Sequence, residues 1–317
     1  MPSTEQQPDI IGGEKSRPET GQNTVWPNFY VVGAQKCGTT SLYQHLKKHP
    51  QVFLPEVKEP AYFSDPPPPG AKLLYPDSRV TIDYYQGLYR DARGFEAIGD
   101  TSPHYLRDAD SARRIHEVCP GAKIIVMLRD PVVRAHSAYL MNLLRDFDSA
   151  PTFGQALQRD KERNKGSWFT AWQYVEAGLY SSQVRRYLDK FGKDQVLVLM
   201  FEDLAVRSQE LFAQVASHLG VDPGLIDVTS VSEPHNYYRM PRFKTAYRIA
   251  GALGLRSKLT SPSFRRLLNR SGLLFKTEKP PLDAESRKYL QEIYGPDIAQ
   301  LEELLGRKLP ELRKSWA

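Results

Sequence analysis

The sequence predicts an α/β fold in which a central parallel β-sheet is flanked by helices. Three observations predict it. Short apolar runs are bounded by breakers, helical-period segments lie between them, and strand and helix alternate through much of the chain. A parallel sheet needs crossover connections and is covered on both faces, so its strands read as continuous apolar runs, not alternating ones.

The elements follow in order. Residues 1–26 are rich in Pro, Gly, Glu, Gln and Thr without periodicity and predict a flexible N-terminal arm. Residues 27–317 predict one domain. NFYVVGA is the first strand, ending at Gly33. SLYQHLKKHP is a helix, with Leu42, His45, Leu46 and His49 at helical spacing and Pro50 as its stop. The prolines from Pro66 to Pro69 exclude helix or central strand there. TIDYYQGLY predicts a short helix and FEAIGD a weak strand ending at Asp100. SARRIHEVCP predicts a helix, and AKIIVMLRDP is the strongest strand of the chain. VVRAHSAYLMNLL predicts the next helix, and a further helical region spans roughly Phe169 to Phe191, with Trp168 and Trp172 one turn apart just before and inside its start. KDQVLVLMFEDL is another buried strand, and SQELFAQVASHLG a helix closed by Gly220. From about Arg239 to Lys279 the chain is basic and reads as loops and short helices. The C-terminal segment predicts two helical runs separated near Gly295 and Pro296, packed back onto the sheet.

Composition narrows the function classes. The chain has 317 residues, 40% hydrophobic and 25% charged, with a formal net charge of +6. That excess favours anionic ligands and is too mild to call for a nucleic-acid partner. Two cysteines, Cys37 and Cys119, are too few and too far apart for a disulfide scaffold or zinc site. No apolar run reaches the ~20 residues of a membrane span, and the N-terminus lacks a signal-peptide core, so a cytoplasmic enzyme is expected.

Gly33 to Ser41 predicts a phosphate-binding loop between the first strand and its helix. Gly33 and Gly38 match the glycine frame of a Walker loop, but Thr39 and Thr40 stand where Lys and Ser/Thr belong, and the lysine is Lys36, inside the loop. Backbone N–H groups at a glycine turn and helix start surround phosphate oxygens. Thr39, Thr40 and Ser41 add hydroxyls and Lys36 a point charge. The displaced lysine argues against ordinary nucleotide hydrolysis. A second anion site follows the strongest strand: Arg129 lies at its carboxyl end, where ligands of open parallel sheets bind, and Ser137 lies on the next helix. Arg134 is a further local cation, and Asp130 with Pro131 forms a helix entry.

FYVVGAQKCGTTSLYQHLKKHP resembles the 5′-phosphosulfate loop of sulfotransferases that use 3′-phosphoadenosine 5′-phosphosulfate (PAPS), and KIIVMLRDPVVRAHSAY resembles their 3′-phosphate segment. GLYSSQVRRYLDKFG, VLVLMFEDL and YGPDIAQLEELLG also look like the family, so the resemblance covers roughly Asn28 to Leu309. Its motif style is that of the carbohydrate (heparan-type) and bacterial branches, and it implies a P-loop NTPase-like sulfotransferase fold. It further implies Gln35, Lys36, Cys37, Gly38, Thr39, Thr40 and Ser41 around the phosphosulfate, Arg129 and Ser137 at the 3′-phosphate, and Tyr180 near the nucleotide. Part of the basic stretch should cover the nucleotide, with Lys276 and Lys279 as the choices. No metal is required.

For the chemistry, KEPAYF resembles the carbohydrate-type segment in which a glutamate faces the acceptor hydroxyl. This makes Glu59 the expected base, beside Lys58; a loop salt bridge is the other reading. Asp100, in DTSPHYL, either binds or orients the acceptor or caps a turn, and the lysine that carbohydrate enzymes tend to carry there is missing. His104 is a second base candidate or a packed loop residue. The expected activity is sulfuryl transfer to a hydroxyl of a small-molecule or glycan-like acceptor. The alternatives are another P-loop phosphotransferase and a noncatalytic nucleotide-binding module. Oligomeric state is left open.

Overall fold

Buried apolar runs become the five strands of one sheet in a computed structural model that describes residues 25–65, 80–145, 147–163, 173–226, 240–241, 275–276 and 279–316. The strands are β1 (Phe29–Gly33), β2 (Val52–Phe53), β3 (Ala97–Thr101), β4 (Lys123–Leu128) and β5 (Val196–Met200). Their order is β2-β3-β1-β4-β5, and every pairing is parallel. Residues 29–32 and 124–128 are each fully buried, as a sheet covered on both faces requires. A separate antiparallel pair, β6 (Met240–Pro241) with β7 (Phe275–Lys276), joins the two ends of the basic stretch. The rest of that stretch up to residue 278, Trp168, Trp172 and the proline run lie outside the described residues.

The helices are α1 (Thr39–Leu46), α2 (Ile82–Gly87), α3 (Ser111–Val118), α4 (Pro131–Leu144), α5 (Phe153–Arg163), α6 (Tyr180–Phe191), α7 (Asp203–Val206), α8 (Ser208–Leu219) and α9 (Ala284–Leu305). Asp130 and Pro131 form the predicted entry of α4, with Asp130 Oδ1 accepting from the Val132 amide at 2.9 Å. Gly220 closes α8 in the left-handed region. Among the described residues no helix is long and apolar enough to cross a membrane.

Three expectations are corrected. Trp26 is not part of a loose arm: its ring lies 5.8 Å from Tyr85 and 6.1 Å from both Tyr62 and Phe63. The helical region expected from Phe169 starts, within the described residues, with a short turn at Glu176–Gly178, and α6 begins only at Tyr180. The two expected C-terminal runs are one helix of 22 residues that carries Pro296 inside it. A proline removes one backbone donor, and tertiary anchors on both sides hold the helix through it. Tyr294 donates to the Val175 carbonyl at 3.0 Å, and Asp297 accepts the amides of Tyr180 and Ser181 at 2.7 and 3.2 Å. Asp297 thereby caps α6 from another part of the chain.

With β1 in the middle, the connections leave toward β3 on one side and β4 on the other. This switch point opens a crevice at the carboxyl ends of β1, β3 and β4, the position where open parallel sheets bind ligands.

Candidate active site

Each loop at that carboxyl edge carries residues singled out in the sequence. The first runs from β1 to α1. Gly33 is glycine because the chain after β3 presses on it: a Cβ there would meet Leu106 Cβ at 2.5 Å. Gly38 is glycine for two reasons. Its φ is +87°, and a Cβ would lie 2.6 Å from the Phe201 ring and 2.8 Å from Leu204. Gly38 also caps α1 with no side-chain hydrogen bond, so the first-turn amides face the loop without an intrahelical acceptor. Thr39 is buried, and Thr40, Ser41, Gln35 and Lys36 are partly buried. Lys36 itself holds φ +72°. Burial and then the charges of Arg145 and Arg129 pull the Lys36 ammonium below the ordinary lysine value, while Glu59 opposes them.

The second loop follows β4. The Arg129 guanidinium lies over the Phe201 ring, 4.4 Å from its centroid. Ser137 is partly buried on α4. Two side chains join this loop to the first. Phe201 stands under both Gly38 and Arg129, and its amide donates to the Leu128 carbonyl at 2.7 Å. Tyr180, fully buried at the start of α6, donates to the Arg129 carbonyl at 3.0 Å and lies 3.6 Å from Cys37 Sγ. The two anion loops are therefore one rigid edge. Cys37 is an inert strut here: burial pushes its thiol up to about 11. Arg134 corrects an expectation. It is 1% exposed and donates to the Tyr174 carbonyl, so it is a core cation and not a ligand for an anion at this edge.

A third group faces these loops. Glu59 is the more open member of an ion pair with Lys58, and Glu59 Oε2 lies 3.9 Å from His104 Nε2. One Glu59 oxygen thus holds Lys58 and the other lies toward His104. His104 also lines a small cavity with Ala34, Gln35, Pro103, Leu106, Arg107, Ala177 and Gln183. Burial lowers the His104 pKa to about 4, against the pull of Glu59, although the side chain keeps 21% of its surface open and solvent tempers the effect. The imidazole is neutral at neutral pH. A depressed histidine contributes stability that is complete above its unfolded value near 6.5 and is lost as pH falls toward 4. Acid titration followed by thermal melting should show that loss, and a His104→Asn variant should lack it.

Asp100 is corrected by the structure. It is the penultimate residue of β3 with 0% exposure, and its oxygens are taken by Ser102 Oγ at 2.6 Å, Tyr105 OH at 2.8 Å and Tyr85 OH at 2.9 Å. A carboxylate sealed under three hydroxyls touches no acceptor. Burial raises its pKa to about 6, with those three hydrogen bonds opposing. Lys279 is exposed, near enough for its charge to act on His136 of α4; of Lys276 only the backbone in β7 is described.

Sequence reasoning missed Phe201 and Arg145. Phe201 carried a readable signal, since it is the first residue past a buried strand at the ligand-binding edge. Arg145, at the C-terminal cap of α4, carried none, yet its charge acts on both Lys36 and His104.

Comparison with known proteins agrees with this geometry. The model of the sulfotransferase family matches residues 72–224. Human carbohydrate sulfotransferase 15 is 28% identical over 62% of this chain, and the membrane-associated sulfotransferase kil1 of Dictyostelium discoideum is 34% identical over 38% of it. The chain spans only 44% and 24% of the lengths of those two relatives. The crystal structure of a sulfotransferase from Alicyclobacillus acidocaldarius is 30% identical, covers 92% of this chain and 100% of its own, and superposes with a TM-score of 0.66. An alignment that runs the full length of a solved sulfotransferase, over a sheet edge built in this way, means that the chain belongs to the sulfotransferase family.

Proposed function

We propose that the protein is a PAPS-dependent O-sulfotransferase that acts on a hydroxyl of a small-molecule or glycan-like acceptor. The observation that carries this reading is the Tyr180 hydroxyl, which contacts both Cys37 in the first loop and the Arg129 carbonyl in the second. One donor with phosphates at two ends fits two anion loops held in fixed relation. The residues fit that donor: Gly38 opens α1 with first-turn amides that no side chain caps, Lys36 supplies a partly buried cation, and Arg129 offers a guanidinium braced on an aromatic ring. The likeness to carbohydrate and heparan sulfate sulfotransferases supports a glycan-like alcohol.

As donor substrate, PAPS supplies the sulfuryl group and a phosphate leaving group. The chain's own groups divide the remaining work. The Glu59 carboxylate takes the acceptor proton as the new O–S bond forms. The Lys36 ammonium meets the negative charge left on the bridging oxygen as the old S–O bond breaks. Neutral His104 gives the acceptor hydroxyl a hydrogen-bond partner without competing for its proton at neutral pH. Arg129 and Ser137 fix the far end of the donor, and Lys276 and Lys279 are the proposed cover.

Binding of adenosine 3′,5′-bisphosphate (PAP) and of AMP, measured by calorimetry, tests the reading. PAP should bind more tightly than AMP, and Arg129→Ala should erase most of that preference, since losing one partner of a charged pair costs about 2–5 kcal/mol. Equal affinity for the two nucleotides in the wild type rejects the two-loop donor site. Magnesium-dependent ATP consumption without PAP binding would favour a phosphotransferase instead. Activity is then read with PAPS and three acceptors: heparan sulfate, chondroitin and 2-naphthol.

A further inference from the structure

We propose that Asp100 is a positioning residue that holds the Glu59 loop in place through two hydroxyl relays. The inference rests on Glu59 acting as the base.

The loop needs holding. Glu59 has φ +63° and Ala61 φ +54°, and neither is glycine. Left-handed backbone is unfavourable for an ordinary side chain, so two such residues with one residue between them persist only where the surroundings fix them. Two amides of this loop are tied down from below. The Ala61 amide donates to Ser102 Oγ at 3.1 Å, and the Phe63 amide donates to Tyr105 OH at 3.3 Å. Both hydroxyls in turn donate to Asp100, Ser102 to Oδ1 and Tyr105 to Oδ2. The Tyr62 ring between those amides stacks on Tyr85, 4.6 Å between centroids.

The polarity of the relay depends on the acid. A hydroxyl has one proton and two lone pairs. A carboxylate only accepts, so it draws the protons of Ser102 and Tyr105 toward itself and turns their lone pairs toward the loop amides. A serine or tyrosine whose proton pointed at the loop would meet an N–H and make no bond. Asparagine at position 100 would offer N–H groups on one side, reverse one hydroxyl and release one amide. Asp100 thus reaches the catalytic carboxylate without touching substrate, by way of Ser102, Ala61 and the backbone.

The controls follow from the third bond. Tyr85 also donates to Asp100 but accepts no loop amide among the described bonds, so Tyr85→Phe perturbs the acid and keeps the stacking ring while sparing both relays. Hydrogen exchange, which needs no acceptor, should show the Ala61 amide faster in Ser102→Ala, the Phe63 amide faster in Tyr105→Phe, and neither changed in Tyr85→Phe. Asp100→Asn should release at least one of the two if it folds; the other variants carry the test if it does not. With PAPS and whichever of the three acceptors the wild type sulfates, Ser102→Ala should lower kcat about tenfold with donor KM unchanged, as expected for a misplaced reacting group. In a Glu59→Gln background the same change should cost almost nothing. Unchanged exchange at Ala61 and Phe63 overturns the proposal, and so does a Tyr85→Phe loss equal to that of Ser102→Ala. Full turnover in Glu59→Gln alone defeats the base assignment, a result separate from the exchange data.

Discussion

Lys36→Ala is expected to lower kcat by about 10²–10³-fold, the usual cost of removing one group that meets developing charge in a desolvated site. The expectation comes from placement. Lys36 sits partly buried in the loop after β1, with its backbone at φ +72°, at the edge of the sheet that also carries Arg129. The same burial, with Arg145 and Arg129 nearby, lowers its pKa. The free enzyme should therefore lose its Lys36 charge at a lower pH than an ordinary lysine would. This appears as an alkaline limb in the kcat/KM profile for PAPS, which reports the free enzyme. Lys36→Arg stays charged throughout and should lack that limb. It should not restore full rate, because a planar guanidinium does not fit a site shaped around a point charge. Retained turnover in Lys36→Ala would remove the residue from the mechanism.

The parts of this site that were legible in the sequence are those in which local chemistry decides. The strand of Ile124 to Leu128 is apolar at every position and could only be a core strand. Gly33 and Gly38 frame a loop that only glycine permits, and Asp130–Pro131 is a helix start wherever it occurs. The rest depends on contacts between distant segments. β2 is two residues long, and Val52–Phe53 becomes a strand only because β3 offers it an edge. α5 went unread although Phe153, Ala156 and Leu157 sit at helical spacing and are buried. Pro296 reads as a helix break, and its neighbours Tyr294 and Asp297 override it by bonding to Val175 and Tyr180, more than a hundred residues away. Asp100 reads in the sequence as a residue that binds or orients the acceptor or as a turn cap, and in the structure it is a buried hub. Only the position of Tyr85, Ser102 and Tyr105 around it decides. Positive φ at Glu59 and Ala61 leaves no mark in the sequence, because both are residues that disfavour it.

Glu59→Gln is expected to reduce kcat by about 10²–10⁴-fold, the range for loss of a general base, while PAP affinity stays within about threefold, since the far end of the donor is held by Arg129. Glutamine keeps the size of the side chain and its bond to Lys58 while giving up proton affinity, so the loss isolates proton transfer from loop shape. The competing base is His104, 3.9 Å away. The two are separated by pH. With its pKa at about 4, His104 is already neutral across the range where an ordinary histidine titrates near 6.5. The wild-type kcat profile should therefore show no His104 transition there, and His104→Asn should leave the shape of the profile intact. A rate that rises near the ordinary histidine value and loses that rise in His104→Asn would transfer the role to the imidazole. Glu59 would then be left as the partner of Lys58, and the strained loop beneath it would serve to hold a salt bridge and not a base.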